Sequence, residues 1–268
     1  MAARKLALKG ACFYLRSKGT RMNTVLITGC SSGFGLDTAS YFLDRGWTVI
    51  ATMRTPRDDL LAPSDRLRIL SLDITDAGSI ARAVEAAGPF DVLVNNAGVG
   101  MVSPLEGVSM DKIRELLETN TLGTIAMTQA VLPQFREQGS GVIINVTSGV
   151  TFQPLPLMSI YTASKAAVNA FTESVALELE PLGVRMRIVI PGRAPETPFG
   201  ENARGRMGIN IPEPYTGVAA QVFARFQAGG AVTYSRDVAE AVWRAATDPA
   251  CPMRLPAGAD AVARAAAV

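Results

Sequence analysis

Histidine is absent from all 268 residues, so any proton chemistry at neutral pH has to be carried by another side chain. Cysteine is scarce. Cys12, Cys30 and Cys251 are widely spaced and make neither a disulfide framework nor a metal-ligand pattern. A reducing, cytoplasmic setting and no metal site are the expectations. No apolar run reaches the roughly eighteen residues needed to span a bilayer. Neither sign of charge dominates, with 26 Lys and Arg against 24 Asp and Glu. Residues 1–22 hold Arg4, Lys5, Lys9, Arg16, Lys18 and Arg21 with no acid, which leaves 20 bases against 24 acids for the remainder. The body is mildly acidic and carries no footprint for nucleic acid. The basic stretch reads as a targeting or membrane-surface segment, as a disordered arm, or as residues ahead of a true start at Met22. A flexible extension irrelevant to function is the expectation. No internal repeat and no low-complexity linker divide the chain, so 23–268 is read as one domain.

What is present alternates. Short apolar runs at 24–28, 47–52, 67–72, 91–94, 141–147 and 184–190 read as strands. Helix-period segments fall between them at 35–46, 79–88, 110–138 and 160–180, the third with Gly123 inside it. Continuous apolar strands separated by helices describe a parallel sheet covered on both faces, wound by right-handed crossovers. The expected fold is α/β, a single doubly wound sheet of Rossmann type. Past Gly192 the rhythm stops. Residues 193–235 are rich in Gly, Pro and Arg with scattered aromatics, and such a stretch reads as an irregular lid or binding loop. A helix over 236–247 and a short strand near 253–256 close the sheet.

"TGCSSGFG" (28–35) lies between the first strand and the first helix. Glycines at that position permit close backbone approach, and the helix N-terminus offers N–H groups to a phosphate. Gly29, Gly33 and Gly35 do not follow the G-x-G-x-x-G spacing, and a turn serving chain reversal alone is the other reading. At the end of the second strand, where many NAD-binding sheets carry an acid, this chain has Met53 and Arg54, with Arg57 close behind. A guanidinium pairs with a 2′-phosphate, which favours NADP(H) over NAD(H); solvated surface arginines are the alternative.

"SIYTASKAAV" (159–168) puts Tyr161 and Lys165 four residues apart, on one face of a helix. A nearby ammonium lowers the pKa of a phenol, and a tuned tyrosine serves as general acid or base without histidine. Such pairs also occur where tyrosine packs and lysine is solvated. Ser148 follows the fifth strand at the carboxyl edge where doubly wound sheets bind ligands, with an ordinary strand-end polar residue as the alternative. "NNAG" (95–98) follows the fourth strand at the same edge.

In this order and spacing, "TGCSSGFG", "LDIT" around Asp73, "NNAG", Asn120, Ser148, Tyr161, Lys165 and "PG" at 191–192 resemble the short-chain dehydrogenase/reductase family. The resemblance covers nearly the whole chain from Met22 on and is nearest the hydroxysteroid and retinol dehydrogenase-like branch. It implies an NAD(P)-dependent oxidoreductase interconverting an alcohol and a carbonyl compound. Tyr161 would exchange the proton, Lys165 would depress its pKa and hold the nicotinamide ribose, and Ser148 would polarise the substrate carbonyl. Asn120 would hold a water linking Lys165 to solvent. Cofactor contacts are implied for the turn (Gly29, Ser31, Ser32, Gly33, Phe34, Gly35) and for Arg54. Asp73 would meet the adenine amino group with Ile74 beside it, and Asn95 would stand near the adenosine, followed by Ala97 and Gly98. Pro191, Gly192 and Thr197 would complete the nicotinamide side. The family usually places that threonine four residues after the glycine of "PG", and Thr197 comes five after Gly192. The resemblance further implies a homodimer or homotetramer through helices 110–138 and 160–180, where Ala163, Ala167 and Ala170 permit close packing. A small-molecule carbonyl or alcohol, fairly apolar, is the expected partner. A non-catalytic NADP-binding sensor on the same fold and an epimerase or dehydratase are the other functional readings.

Overall fold

The structure, a computed structural model, describes residues 23–207 and 210–268. The basic stretch 1–22 lies outside them. Seven parallel strands form one sheet in the order β3-β2-β1-β4-β5-β6-β7. They are β1 (Thr24–Thr28), β2 (Thr48–Met53), β3 (Leu67–Ser71), β4 (Val92–Asn95), β5 (Gly141–Val146), β6 (Val184–Pro191) and β7 (Arg254–Ala257). The order runs outward in both directions from β1 and β4, so their carboxyl ends border the crevice where such sheets take ligands.

Alternation along the strands decides what each face buries. Val25, Ile27 and Val49 point to one side, where Phe42, Trp47 and Val242 complete a core. That side is covered by α1 (Gly33–Asp44) and α8 (Ser235–Thr247). Leu26, Ile50, Leu93 and Ile143 point to the other side and pack with Phe90, Met127, Phe135 and Met186. Helices α2 (Ala77–Ala87), α4 (Gly123–Gln138) and α5 (Ser159–Leu179) cover it.

Two stretches differ from the sequence expectation. The long helix expected over 110–138 is α3 (Met110–Leu117) joined to α4 through a π-helical turn, Glu118–Leu122. A π turn takes in one residue more than α-helical winding allows. Gly123 opens α4 beneath Ile74, whose Cδ1 would lie 2.9 Å from any Cβ there. The stretch expected to be irregular, 193–235, holds two helices, α6 (Phe199–Met207) and α7 (Thr216–Gln227). The apolar positions of α7, Ala219 and Val222 with Phe223, pack on Leu157 and Val102 of the main body. A short helix missed from sequence, α9 (Ala259–Ala265), follows β7. Among the described residues no helix is long and apolar enough to cross a membrane.

Candidate active site

The turn after β1 is shaped by contacts that only glycine tolerates. Gly29 has φ +76°, and a Cβ on it would stand 2.8 Å from the Ala97 Cα. Gly33 has φ +55°, also in the left-handed region that disfavours other residues. A Cβ on Gly35 would run into the Gly29 carbonyl oxygen. Ser32 is the N-cap residue of α1, yet its side chain makes no capping bond, and the first turn carries no acid. The first N–H groups of this twelve-residue helix are therefore left for a ligand by the chain itself. An uncapped helix start behind a tight glycine turn fits the pyrophosphate of a dinucleotide. Ser31 is exposed beside it, and Phe34 packs into the α1–α8 core. Thr197 closes the turn from above, its Cβ 3.5 Å from where a Gly33 Cβ would lie. Its hydroxyl donates to the Ala194 carbonyl at 2.9 Å.

At the end of β2, Arg54 is exposed and its carbonyl accepts from the Ser71 hydroxyl at 3.0 Å. No carboxylate pairs with its guanidinium among the described residues. Arg57 differs, because it is engaged by Asp59 at 2.6 Å and 3.1 Å. The Asp73 carboxylate accepts from the Thr75 N–H at 2.9 Å and the Thr75 hydroxyl at 2.7 Å.

"NNAG" divides its labour in a way the sequence reading did not foresee. The Asn95 side chain is turned into the core, donating to Asn145 Oδ1 at 2.9 Å and Thr128 Oγ1 at 3.2 Å. Asn96 instead fastens the glycine turn, donating to the Thr28 carbonyl at 2.9 Å and the Gly29 carbonyl at 3.2 Å. Strand alternation held the clue, since Leu93 already faces the α2–α4 side and Asn95 must follow it. Ile74 is likewise a core side chain, packed over Gly123.

Asn120 sits in the π turn, fully buried. Its Oδ1 accepts from the Val99 N–H at 2.8 Å, while Nδ2 donates to the Val99 carbonyl at 2.9 Å and to Ser164 Oγ at 3.1 Å. Both amide hydrogens are thus committed to the protein, and Asn120 pins the loop following Gly98 to the helix pair. Gly98 lies where a Cβ would be 3.2 Å from Asn120 Oδ1 and 3.3 Å from Lys165 Nζ.

Tyr161 and Lys165 share the buried face of α5, each 5% exposed. Lys165 donates to the Val146 carbonyl at 3.1 Å, reaching the end of β5 two residues before Ser148. Ser148 accepts from the Val150 N–H at 3.4 Å and hydrogen-bonds to the Tyr161 phenol. Ser148, Tyr161 and Lys165 are therefore gathered at one point of the sheet's carboxyl edge. Phe199, from the start of α6, stands beside Tyr161 with ring centroids 6.0 Å apart. It also presses on Gly100, where a Cβ would meet its Cε1 at 2.8 Å. Sequence marks Phe199 only as one of the scattered aromatics of 193–235, because its partners are 38 and 99 positions away.

Burial pushes the Tyr161 phenol up to about 12, opposed by the Ser148 hydrogen bond. Burial also brings Lys165 down to about 8. Water removed by α6 and its neighbours disfavours both charged forms. A stability profile follows from these two shifts. Between about pH 8 and 10.5 the unfolded chain holds a Lys165 proton that the folded chain has released, so stability rises with pH. Between about 10 and 12 the folded chain keeps a phenol proton that the unfolded chain loses, so stability falls. Urea midpoints measured from pH 7.5 to 10 should rise for wild type relative to Lys165→Met; parallel curves would contradict the burial of the amine.

Comparison with known proteins extends the geometry. A family model described as short chain dehydrogenase matches residues 23–207. An uncharacterized oxidoreductase of Bacillus subtilis is 42% identical over 178 residues, covering 62% of this chain and 63% of its own. Human 17-beta-hydroxysteroid dehydrogenase type 1 is 37% identical over 195 residues, covering 68% of this chain and 59% of its own. The match thus spans about three-fifths of the length of these curated relatives. A short-chain dehydrogenase from Streptomyces avermitilis superposes with a TM-score of 0.80 at 34% identity, over 93% of this chain and 92% of that one. Two further similar structures contain a cofactor. One is a short-chain dehydrogenase from Burkholderia cenocepacia with NADP (TM-score 0.72, 29% identity, 91% and 92% covered). The other is 3-ketoacyl-(acyl-carrier-protein) reductase from Brucella melitensis with NADH (TM-score 0.74, 27% identity, 88% and 96% covered). Fold, site residues and relatives agree: the chain belongs to the short-chain dehydrogenase/reductase family.

Proposed function

We propose that this protein is an NADP(H)-dependent oxidoreductase that interconverts an alcohol and a ketone or aldehyde of fairly apolar character. The observation that carries this reading is the meeting of Ser148, Tyr161 and Lys165 in one buried cluster beside an uncapped helix N-terminus. A nicotinamide bound in the crevice would supply or accept the hydride. The chain's own residues handle the oxygen. Ser148 holds the substrate oxygen by its hydroxyl. Tyr161, kept protonated by burial, gives its proton to that oxygen in reduction, or takes it back in oxidation. Lys165 provides the nearby positive charge, and Asn120 fixes the backbone around them.

NADP(H) is favoured by Arg54, which is exposed at the end of β2 with no carboxylate partner among the described residues. The related structures hold NADP in one case and NADH in another, so the preference rests on this chain's arginine. An apolar substrate is favoured by the surroundings of Tyr161, where Met101, Val150, Leu155, Met158 and Phe199 gather, and a relative is named for a hydroxysteroid. Ala163, Ala167 and Ala170 lie exposed along α5 with Leu177, which supports a homo-oligomer built on that helix. Cys30 and Cys251 are buried and unpaired, in keeping with a cytoplasmic location.

The test is oxidation of NADPH and of NADH against a panel of ketones and aldehydes, with deuterated cofactor. Label recovered in an alcohol product supports the proposal. Binding without turnover would favour a nucleotide sensor, and unlabelled product an epimerase or dehydratase.

A further inference from the structure

Asp260, in the first turn of α9, is a buried carboxylate with no cation opposite it among the described residues. Its charge is met by hydrogen bonds alone. Oδ2 accepts from the Arg193 N–H at 2.7 Å, and Oδ1 from the Thr233 hydroxyl at 2.7 Å. Burying an ionised group is costly unless it is fully hydrogen-bonded, and bonds to a carboxylate are stronger than neutral ones. What these bonds join is informative. Arg193 and Thr233 are the two ends of the excursion that carries α6, α7 and Phe199. The ends also meet directly, the Thr233 N–H donating to the Arg193 carbonyl at 2.8 Å. The Gly192 N–H donates to the Thr233 hydroxyl oxygen at 2.8 Å. That hydroxyl also lies 2.9 Å from the Ala257 carbonyl. Gly192 is pressed against the Asp260 carboxylate so closely that no side chain fits there. A few residues on, Glu196 accepts from the Ser235 N–H at 2.6 Å, a second tie between the same two arms. α9 also packs against the turn after Ser148.

We propose that Asp260 is a positioning residue, the clasp that locks both ends of the 193–235 excursion onto the sheet edge. It thereby sets Gly192 against the nicotinamide side of the crevice and Phe199 over Tyr161. Its role at the cofactor rests on the function proposed above; its role as a clasp does not.

The experiment is amide hydrogen exchange on the full chain, alongside cofactor kinetics, for Asp260→Ala, Asp260→Asn and Thr233→Val. In Asp260→Ala, exchange at 192–198 and 231–235 should rise about tenfold to a hundredfold, with peptides from β1, β4 and β5 unchanged. KM for NADPH should rise about tenfold with kcat held within about twofold. Asp260→Asn should restore most of both, because an amide oxygen in the place of Oδ2 still accepts from the Arg193 N–H and the amide nitrogen can donate to the Thr233 oxygen. Should Asp260→Ala fail to fold, Thr233→Val should give the same local pattern at smaller amplitude. Unchanged exchange at 192–198 and 231–235 overturns the clasp, as does an even loss of protection throughout the molecule in the folded variants. Raised local exchange with no catalysis in any variant, wild type included, keeps the clasp and refutes the enzymatic reading instead.

Discussion

A Tyr161→Phe protein should turn over about 10²–10⁴-fold more slowly than wild type while remaining folded. The substitution removes a single oxygen. The ring keeps its packing against Phe199 and the cluster of Met101, Leu116 and Val150. The Tyr161 carbonyl still accepts from Ser164 at 2.7 Å, so the turn of α5 around it is undisturbed. What goes is the phenol's hydrogen bond with Ser148, a loss of about 0.5–1.5 kcal/mol in stability. The kinetic loss is far larger because the proton would have no other donor. No histidine exists in the chain, and Lys165 is directed at the Val146 carbonyl. Measuring kcat at saturating substrate together with the thermal midpoint separates the two effects. Turnover equal to wild type would remove Tyr161 from the chemistry.

Arg54→Ala should lower the preference for NADPH over NADH about tenfold to a hundredfold, the worth of a charge-assisted hydrogen bond to phosphate. The effect should fall on NADPH alone, because NADH offers nothing for the guanidinium to pair with. Arg57 supplies the internal comparison. Its guanidinium is already engaged by the exposed Asp59, and a solvated pair of this kind is worth little, so Arg57→Ala should change the ratio by no more than a few-fold. The ratio of kcat/KM for the two cofactors is the measurement. Equal losses with both cofactors would assign Arg54 to general surface structure.

Most of the sheet was legible because β1, β2, β4, β5 and β6 are short apolar runs buried on both faces, and such runs leave little choice of element. The glycine turn and the Tyr161–Lys165 pair were legible for a similar reason, since their spacing is local. What escaped depended on contacts distant in sequence. The state of the phenol depends on burial under a lid from 38 residues downstream. Asp260 sits in an alanine-rich stretch, and its partner Arg193 lies 67 residues earlier. The helices α6 and α7 were missed because Gly200, Gly205, Pro212 and Gly217 break up the apolar period there. The different tasks of Asn95 and Asn96 follow from alternating sides of a strand, which reading "NNAG" as a unit conceals.

The π turn at Glu118–Leu122 means that α3 and α4 cannot be drawn on a single helical wheel. At 3.6 residues per turn, one surplus residue swings everything after it by about 100°. That offset lets Leu116 face the cluster around Tyr161 while Met127, Val131 and Phe135 face the sheet. Ordinary winding of these same residues would send one of those two sets of side chains into solvent, whereas a one-residue deletion inside 118–122 would remove the surplus and leave both faces in place. The defect in the winding is therefore what allows a single rod of helix to serve both the crevice and the core.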